Sequence, residues 1–310
     1  MNEEIHPTNA SISTMWALKN FPDLNDFFVV SKHLGFQKVE LNHQVDSAML
    51  SQVFLDHTQF SSVHEPCPAD ISTKELVNRD WLISSTDDDS RKRGVEAIKR
   101  SVKLAYELGA QIVIIHCGNV TSDMTHEYKL RNLFKAGKTL SDEYLDTKSQ
   151  CVLSRNNLVG PRFQAVKKSL KELLQYADHF KVKLGLENRY HYTDIPTMDE
   201  VEELLTLADS SQLGFIFDVG HAQALARLGF YPQEEWLKRY SSRMLGSHLH
   251  DVIGLSDHIA PGLGEIDFKT IAKFLPENAF RTLELLPGNT LEQVTFGIDL
   301  LVESGCIKYL

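Results

Sequence analysis

Cysteine is scarce in this chain, and long apolar runs are absent from its sequence. The four cysteines, Cys67, Cys117, Cys151 and Cys306, show no CxxC spacing, and the first ten residues lack the basic and apolar segments of a signal peptide. No apolar stretch approaches the roughly 18 residues that a membrane span requires. These absences predict a cytoplasmic protein with no membrane partner.

An excess of positive charge is also absent. The chain has 42 acidic against 32 basic side chains, which gives a formal net charge of −10. An acidic protein has no general attraction to nucleic acid or to an anionic membrane, although a local basic patch could survive within this average. The composition therefore disfavours nucleic acid as a partner.

Strand and helix patterns alternate along the sequence. Apolar runs predict strands near 11–15, 38–42, 59–64, 111–116, 183–187, 213–218, 244–250 and 280–286. Amphipathic patterns predict helices near 23–34, 46–55, 89–108, 162–181, 198–208, 221–228, 232–240, 268–275 and 290–304. Eight such pairs favour a single α/β domain over residues 1–310 that folds as a (β/α)8 TIM barrel. A doubly wound open sheet is the alternative, but no GxGxxG phosphate loop follows the first strand.

Two connections are too long to be simple barrel turns. Residues 65–88 are rich in Asp, Ser and Thr, and an inserted loop and helical segment occupies about 118–161. Both follow predicted strands, so both belong to the C-terminal face of the barrel. Loops of this length often act as lids over a site.

Acidic residues and histidines stand where the apolar runs end. They are His64, His116, Glu187, Asp218, His248 and Glu284. Parallel strands of a barrel point their carboxyl ends at one mouth, so these side chains are expected to converge. Imidazole and carboxylate together form the ligand set of a divalent transition-metal site.

The sequences around these residues resemble the xylose isomerase-like TIM-barrel superfamily. That group holds sugar isomerases, keto-sugar epimerases, inosose dehydratase-type enzymes and the metal-dependent apurinic endonucleases (family 2). The similar segments are VHEPC, IIHCG, LGLENR, FDVGHA, HLHD, DHIAPGLGEIDF and TLEL. They cover most of the chain in the family's order, which makes them a strong signal for fold and metal and a weak one for substrate.

The resemblance implies a metal centre and a second group of ligands. The centre shared by the epimerases would be Glu187, Asp218, His248 and Glu284. The histidines that hold additional ions in the endonuclease branch correspond to His64, His116, His221 and His258. Ser256 stands where that branch has an aspartate, with Asp257 adjacent but out of register, so a full three-metal site is in doubt and one or two ions are expected.

Several of these side chains have a structural alternative. Asp218 could cap the following helix, His64 and His116 could be hydrogen-bonded core residues or substrate contacts, and Glu40 could face substrate or bond within the core. Substrate contacts are further expected from Arg189, His221, His250 and His258. His248 is preferred to His250 as a ligand because it alone keeps the family's spacing to Asp251.

The ligand set favours a metal-dependent isomerase or epimerase that acts on a carbohydrate. A divalent Mn, Zn, Co or Fe ion would chelate a keto-sugar, while Glu187 and Glu284 act as base and acid on opposite faces of the adjacent carbon. Apurinic endonuclease-like phosphodiester hydrolysis, and a related dehydratase or lyase reaction, are the alternatives. The expected substrate is a sugar or a sugar phosphate, and the sequence is compatible with a homodimer.

Overall fold

Eight parallel strands close into a barrel in the computed structural model of the chain, which describes residues 6–54 and 58–310. They are β1 (Thr8–Ser13), β2 (Phe36–Leu41), β3 (Gln59–His64), β4 (Ile112–Ile115), β5 (Lys183–Glu187), β6 (Leu213–Asp218), β7 (Met244–Leu249) and β10 (Phe280–Leu283). Strand β1 pairs with both β2 and β10, which closes the ring in the order β1-β10-β7-β6-β5-β4-β3-β2. The predicted (β/α)8 barrel is confirmed, and the open sheet is wrong.

Helices surround the barrel and follow its strands. They are α1 (Leu24–His33), α2 (Ser47–Leu50), α3 (Thr73–Asn78), α4 (Asp88–Glu107), α5 (Thr125–Lys135), α6 (Asp142–His179), α7 (Met198–Leu205), α8 (Val219–Arg227), α9 (Gln233–Tyr240), α10 (Phe268–Ala272) and α11 (Leu291–Ser304). A short antiparallel hairpin, β8 (Asp251–Ile253) with β9 (Ser256–Ile259), follows β7. No helix in the described part of the chain is long and apolar enough to cross a membrane.

The strands are apolar because both of their faces are covered. All six residues of β6 are buried, and Phe215 stacks on Trp236 of α9 with ring centroids 5.8 Å apart. Covering both faces of a parallel strand removes the apolar–polar alternation of a half-exposed strand. Helix starts follow local chemistry: Asp23 caps α1, and Thr197 with Glu200 forms the predicted capping box of α7.

Two predicted helices differ from the structure. The helix expected at 46–55 is the single turn α2, and residue 55 lies outside the described residues. The helix expected at 162–181 begins 20 residues earlier, so α6 is 38 residues long and passes through Pro161. Proline normally marks a helix start because it lacks an N–H donor. Burial of Tyr144, Cys151 and Arg155 against other elements secures the turns before it.

The segment at 118–161 is largely helical and packs on the barrel rim. Leu130 of α5 and Cys151 of α6 form a small apolar cluster with Tyr192 and Leu225. Arg155 of α6 donates to the carbonyl of Tyr192 at 2.9 Å and binds Glu200 at 2.7 Å. This segment therefore fixes the loop that follows β5.

Removing Arg155 should destabilise the protein measurably. Arg155→Ala leaves Glu200 and two loop carbonyls without their buried donor, and breaking a buried ion pair costs about 3–5 kcal/mol. Urea unfolding should report this loss. Arg162→Ala on the same helix breaks a more exposed pair with Asp80 and should cost less than about 1 kcal/mol. Equal effects of the two variants would show that the loop contacts contribute nothing.

Candidate metal centre

Four chemically competent side chains meet at the carboxyl ends of four neighbouring strands. Glu187 ends β5, Asp218 ends β6, His248 lies near the end of β7 and Glu284 follows β10. One potential ligand atom from each lies within 4.8 Å of those of the other three. The Nδ1 atom of His248 is 2.9 Å from Glu187 Oε1, 3.1 Å from Glu284 Oε2 and 3.5 Å from Asp218 Oδ2. All four residues are buried.

The orientation of the His248 ring is fixed by a contact between Nε2 and Glu40, on the side away from the other carboxylates. Its Nε2 atom lies 3.2 Å from the carboxylate of Glu40, which also accepts a hydrogen bond from Ser62 Oγ at 2.6 Å. Glu40 is fully buried, so of its two predicted roles the structure supports the hydrogen-bonding one. A proton on Nε2 facing Glu40 leaves the Nδ1 lone pair of His248 directed at the other three carboxylates, as ligand histidines require.

His64 and His116 extend the centre along β3 and β4. His116 Nε2 is 3.2 Å from Glu187 Oε2, and His64 Nε2 is 3.7 Å from Glu187 Oε1. The Nδ1 atom of His64 faces the carbonyl of Glu65 at 3.2 Å. Because a carbonyl only accepts, this nitrogen carries a proton, and Nε2 is the atom that faces Glu187. Two of the four histidines predicted for a second site are therefore brought to Glu187.

A second group consists of His221, Asp257 and His258. The Nε2 atoms of both histidines lie 3.8 Å from Asp257 Oδ2. Their Nδ1 atoms face the carbonyls of Asn188, at 3.0 Å, and Glu284, at 3.1 Å, so both Nε2 lone pairs point toward Asp257. Ser256 is exposed, and the irregular β8–β9 hairpin presents Asp257 instead. The departure at Ser256 therefore leaves a three-residue ligand group intact.

The centre concentrates negative charge in a buried space. Burial alone would raise the pKa of Glu284, but His248 outweighs it and lowers that pKa. Burial likewise opposes a charge on His248, yet Glu284 and Glu40 raise its pKa well above the usual value. A proton on His248 thus compensates these carboxylates when no cation is bound. Binding a divalent ion would release that proton, so metal affinity should rise with pH.

The residues present fit a divalent ion. Glu284 Oε1 is buried and has no hydrogen-bond partner among the described residues. Burying ionised carboxylates without a cation is costly, and such an orphaned oxygen is the kind of atom that a metal satisfies. Burial lowers the pKa of His116 and of His258, which keeps both imidazoles neutral and able to donate a lone pair.

Of two predicted substrate contacts, His250 lies fully buried and Arg189 lies at the edge of the centre. His250 is fully buried; its Nε2 contacts both carboxylate oxygens of Asp218 at 3.1 Å, and its Nδ1 accepts from the backbone N–H of His258 at 2.8 Å. Both nitrogens of His250 therefore have partners within the protein and orient Asp218, while its predicted contact with substrate stays a prediction. Arg189 stays at the edge of the centre, with Nη1 2.5 Å from Glu187 Oε2.

Some residues of the site were not predicted from the sequence. His43 lies just after β2, with its ring 5.2 Å from that of His64, and burial lowers its pKa to about 3. Searching for polar residues just after an apolar run would have found His43 in the segment VELNH. Glu65 accepts from the His116 N–H at 2.8 Å, and burial raises its pKa to about 7. Asn188 makes two hydrogen bonds to the Asp218 backbone, a contact with no sequence signature.

Comparison with known sequences agrees with the barrel fold. The model of a family described as xylose isomerase-like TIM barrel matches residues 33–287. An uncharacterised protein of Methanocaldococcus jannaschii is 25% identical over 71% of this chain, and the chain spans 65% of that relative's length. An inosose dehydratase of Clostridium botulinum is 29% identical over 31% of this chain and 38% of its own.

Solved structures share the fold. A 3-keto-D-glucoside 4-epimerase from E. coli superposes with a TM-score of 0.65 over 95% of this chain and 99% of its own, at 13% identity. The IolI protein, solved with a bound zinc atom, superposes with a TM-score of 0.61 over 96% of this chain and 95% of its own, at 15% identity. At these identities the likeness concerns the fold alone.

Proposed function

The chain belongs to the xylose isomerase-like TIM-barrel family, and we propose that it is a metal-dependent sugar isomerase or epimerase. One observation carries this proposal: two buried glutamates, Glu187 and Glu284, approach one imidazole nitrogen from strands β5 and β10, at 2.9 and 3.1 Å. A substrate carbon held at this point would have a carboxylate within reach on two sides.

A divalent ion would be held by Glu187, Asp218, His248 and Glu284. Such an ion polarises a bound carbonyl and makes hydrogen on the adjacent carbon more acidic. Zinc or iron suits the histidine-rich surroundings, and manganese or cobalt suits the carboxylates. Behind these ligands, His250 contacts the carboxylate of Asp218 and His116 contacts that of Glu187, while the side-chain amide of Asn188 donates to the Asp218 carbonyl.

The two glutamates would perform the proton transfer. His248 lowers the pKa of Glu284, and hydrogen bonds from His116 and His248 lower that of Glu187 against the opposing effect of burial, so both are ionised at neutral pH. An ionised carboxylate can act as general base. Removal of the proton by one glutamate and delivery by the other would invert the carbon. Return by the same glutamate to the neighbouring carbon, with the hydroxyl proton passing to the former carbonyl oxygen, would isomerise the sugar.

The number of ions depends on the group of His221, Asp257 and His258. We expect Asp257→Asn to lower the bound metal by about one ion per chain, because the neutral amide removes the one negative charge that Asp257 brings to the two histidines. Elemental analysis after dialysis measures this. Asp123→Asn, in an exposed loop, is the control. Unchanged stoichiometry would make these residues substrate contacts only.

A phosphodiester hydrolase is the second candidate, because the His221, Asp257 and His258 group offers an additional cation site. The net charge of −10 weighs against it. The deciding assay incubates metal-loaded protein with ketoses, ketose phosphates and inososes in deuterated water, and separately with an abasic duplex. Deuterium on the carbon next to the carbonyl supports the isomerase. Metal-dependent nicking without any exchange would overturn it in favour of the hydrolase.

A further inference from the structure

A cavity opens beside the candidate metal centre, under the loop that follows β3. It shares Glu65, His116 and Arg189 with the centre and continues between α3 and α4. Its volume of about 80 Å³ corresponds to the space of roughly three water molecules in the liquid. A ligand held at Glu187 and Glu284 could therefore extend two or three further atoms past His116 and Arg189.

The far end of this cavity is apolar. Leu76, Ile83 and Ile98 line it and are buried, and the ring of Trp81 forms part of the wall. A hydroxyl group lies among them: Thr73 Oγ1 is buried without a hydrogen-bond partner among the described residues. A short group with apolar atoms and one hydroxyl would satisfy this lining.

The charges around the cavity disfavour an anion. Among the described lining residues Arg189 is the sole permanent cation, and it already contacts Glu187 at 2.5 Å and Asp194 at 3.5 Å. The carboxyl groups of Glu65 and Asp194 line the same space. Arg79 and Arg93 stack on Trp81 but do not line the cavity. A phosphate here would meet acidic groups and no unpaired cation.

We infer that the cavity receives the end of the sugar remote from the carbonyl, and that this end is unphosphorylated and short, such as the CHOH–CH₃ end of a 6-deoxy-ketohexose. The inference rests on the proposed function, since it places the carbonyl end of the same molecule at Glu187 and Glu284. Arg189 and Asn119 line the cavity and can bond hydroxyls of the sugar chain, while the terminal methyl would contact Leu76 and Ile98.

Binding is measured first, because it needs no turnover. Trp81 lines the cavity, whereas Trp16 and Trp236 are buried elsewhere, so tryptophan fluorescence reports its occupation. The metal-loaded protein is titrated with fructose, tagatose and psicose, each as the free ketose, the 6-deoxy-ketose and the 6-phosphate. The 6-deoxy or free form of at least one sugar should bind at least about 100-fold more tightly than its 6-phosphate, because Arg189 is already paired with Glu187 and Asp194 and cannot compensate the charge of a buried phosphate. Trp81→Phe should abolish the signal.

The cavity is then filled by mutation. Ala97 of α4 lines the cavity, and Ala97→Leu should raise KM for 6-deoxy-ketohexoses at least about tenfold relative to KM for erythrulose, a four-carbon ketose too short to reach it. The deuterium exchange of erythrulose shows that the variant is folded. An equal change for both sugars would overturn the inference.

The two hypotheses fail separately. If no ketose exchanges hydrogen but the fluorescence preference for unphosphorylated sugars holds, the proposed reaction is wrong and the cavity assignment stands. Tighter binding of a 6-phosphate, or no fluorescence response to any of the sugars, would overturn the cavity assignment whatever the reaction.

Discussion

Replacing Glu284 by glutamine is expected to slow the exchange of substrate carbon-bound hydrogen with solvent by at least about 100-fold. Glutamine keeps the shape of the side chain and one oxygen that can bind a metal, but it cannot accept the proton. His248 holds the pKa of Glu284 below its usual value despite burial, so wild-type Glu284 is ready to act as a base at neutral pH. The measurement is deuterium incorporation at saturating metal.

The matched control for this variant is Glu40→Gln. Glu40 is equally buried and contacts the far nitrogen of His248, away from the other carboxylates. It positions His248, so its replacement should weaken metal binding by about 10- to 100-fold and affect exchange little once metal is saturating. Equal losses of exchange in the two variants, or a Glu284→Gln protein with normal exchange, would contradict the assignment of Glu284 as base.

Asp218→Asn should empty the metal centre. Asp218 contributes an oxygen to the central group and is held by His250. Loss of its charge should lower the affinity for Mn²⁺, Co²⁺ or Zn²⁺ by at least about 100-fold. This loss is larger than that expected from replacing a residue that only hydrogen-bonds to a metal ligand. The part of the stabilisation of the folded state that comes from the central ion should disappear with it. Calorimetric titration and thermal unfolding measure the two effects.

The fold should survive this substitution. Asp218 also caps α8 by accepting from the His221 N–H at 2.7 Å, and asparagine caps helices about as well as aspartate. Asp87→Asn is the control, since Asp87 caps α4 in the same way far from any ligand group. A variant at Asp218 that binds metal as tightly as the Asp87 variant would remove Asp218 from the centre.

The barrel could be predicted because its signals are local. The apolar runs ending at His64, Glu187 and Asp218 coincide with β3, β5 and β6 residue for residue. A parallel strand of a barrel is apolar because both of its faces are buried, and the polar residue that ends it lies at the barrel opening. An apolar run that ends in a polar residue therefore indicates both the strand and the position of the site. The convergence of His64, His116, Glu187, Asp218, His248 and Glu284 follows from closing the ring.

Other features depend on contacts between distant parts of the chain. Helix α6 continues through Pro161 because Arg155 and its neighbours are anchored by the loop after β5, which the local sequence does not show. Asp257 is presented by a hairpin whose irregular pairing shifts the expected register. His250 follows His248 by two residues, which would place both side chains on the same face of a strand. The backbone N–H of His258 nevertheless donates to Nδ1 of His250. None of these contacts leaves a pattern in the residues themselves.

The central claim is that Glu187, Asp218, His248 and Glu284 hold one divalent ion where the proton is transferred. Anomalous scattering from crystals of the Mn²⁺- or Zn²⁺-loaded protein tests it most directly. The account predicts a strong peak within bonding distance of all four side chains, together with a weaker or equal one near His221, Asp257 and His258. A metal-loaded crystal with no peak among the four central residues would contradict it.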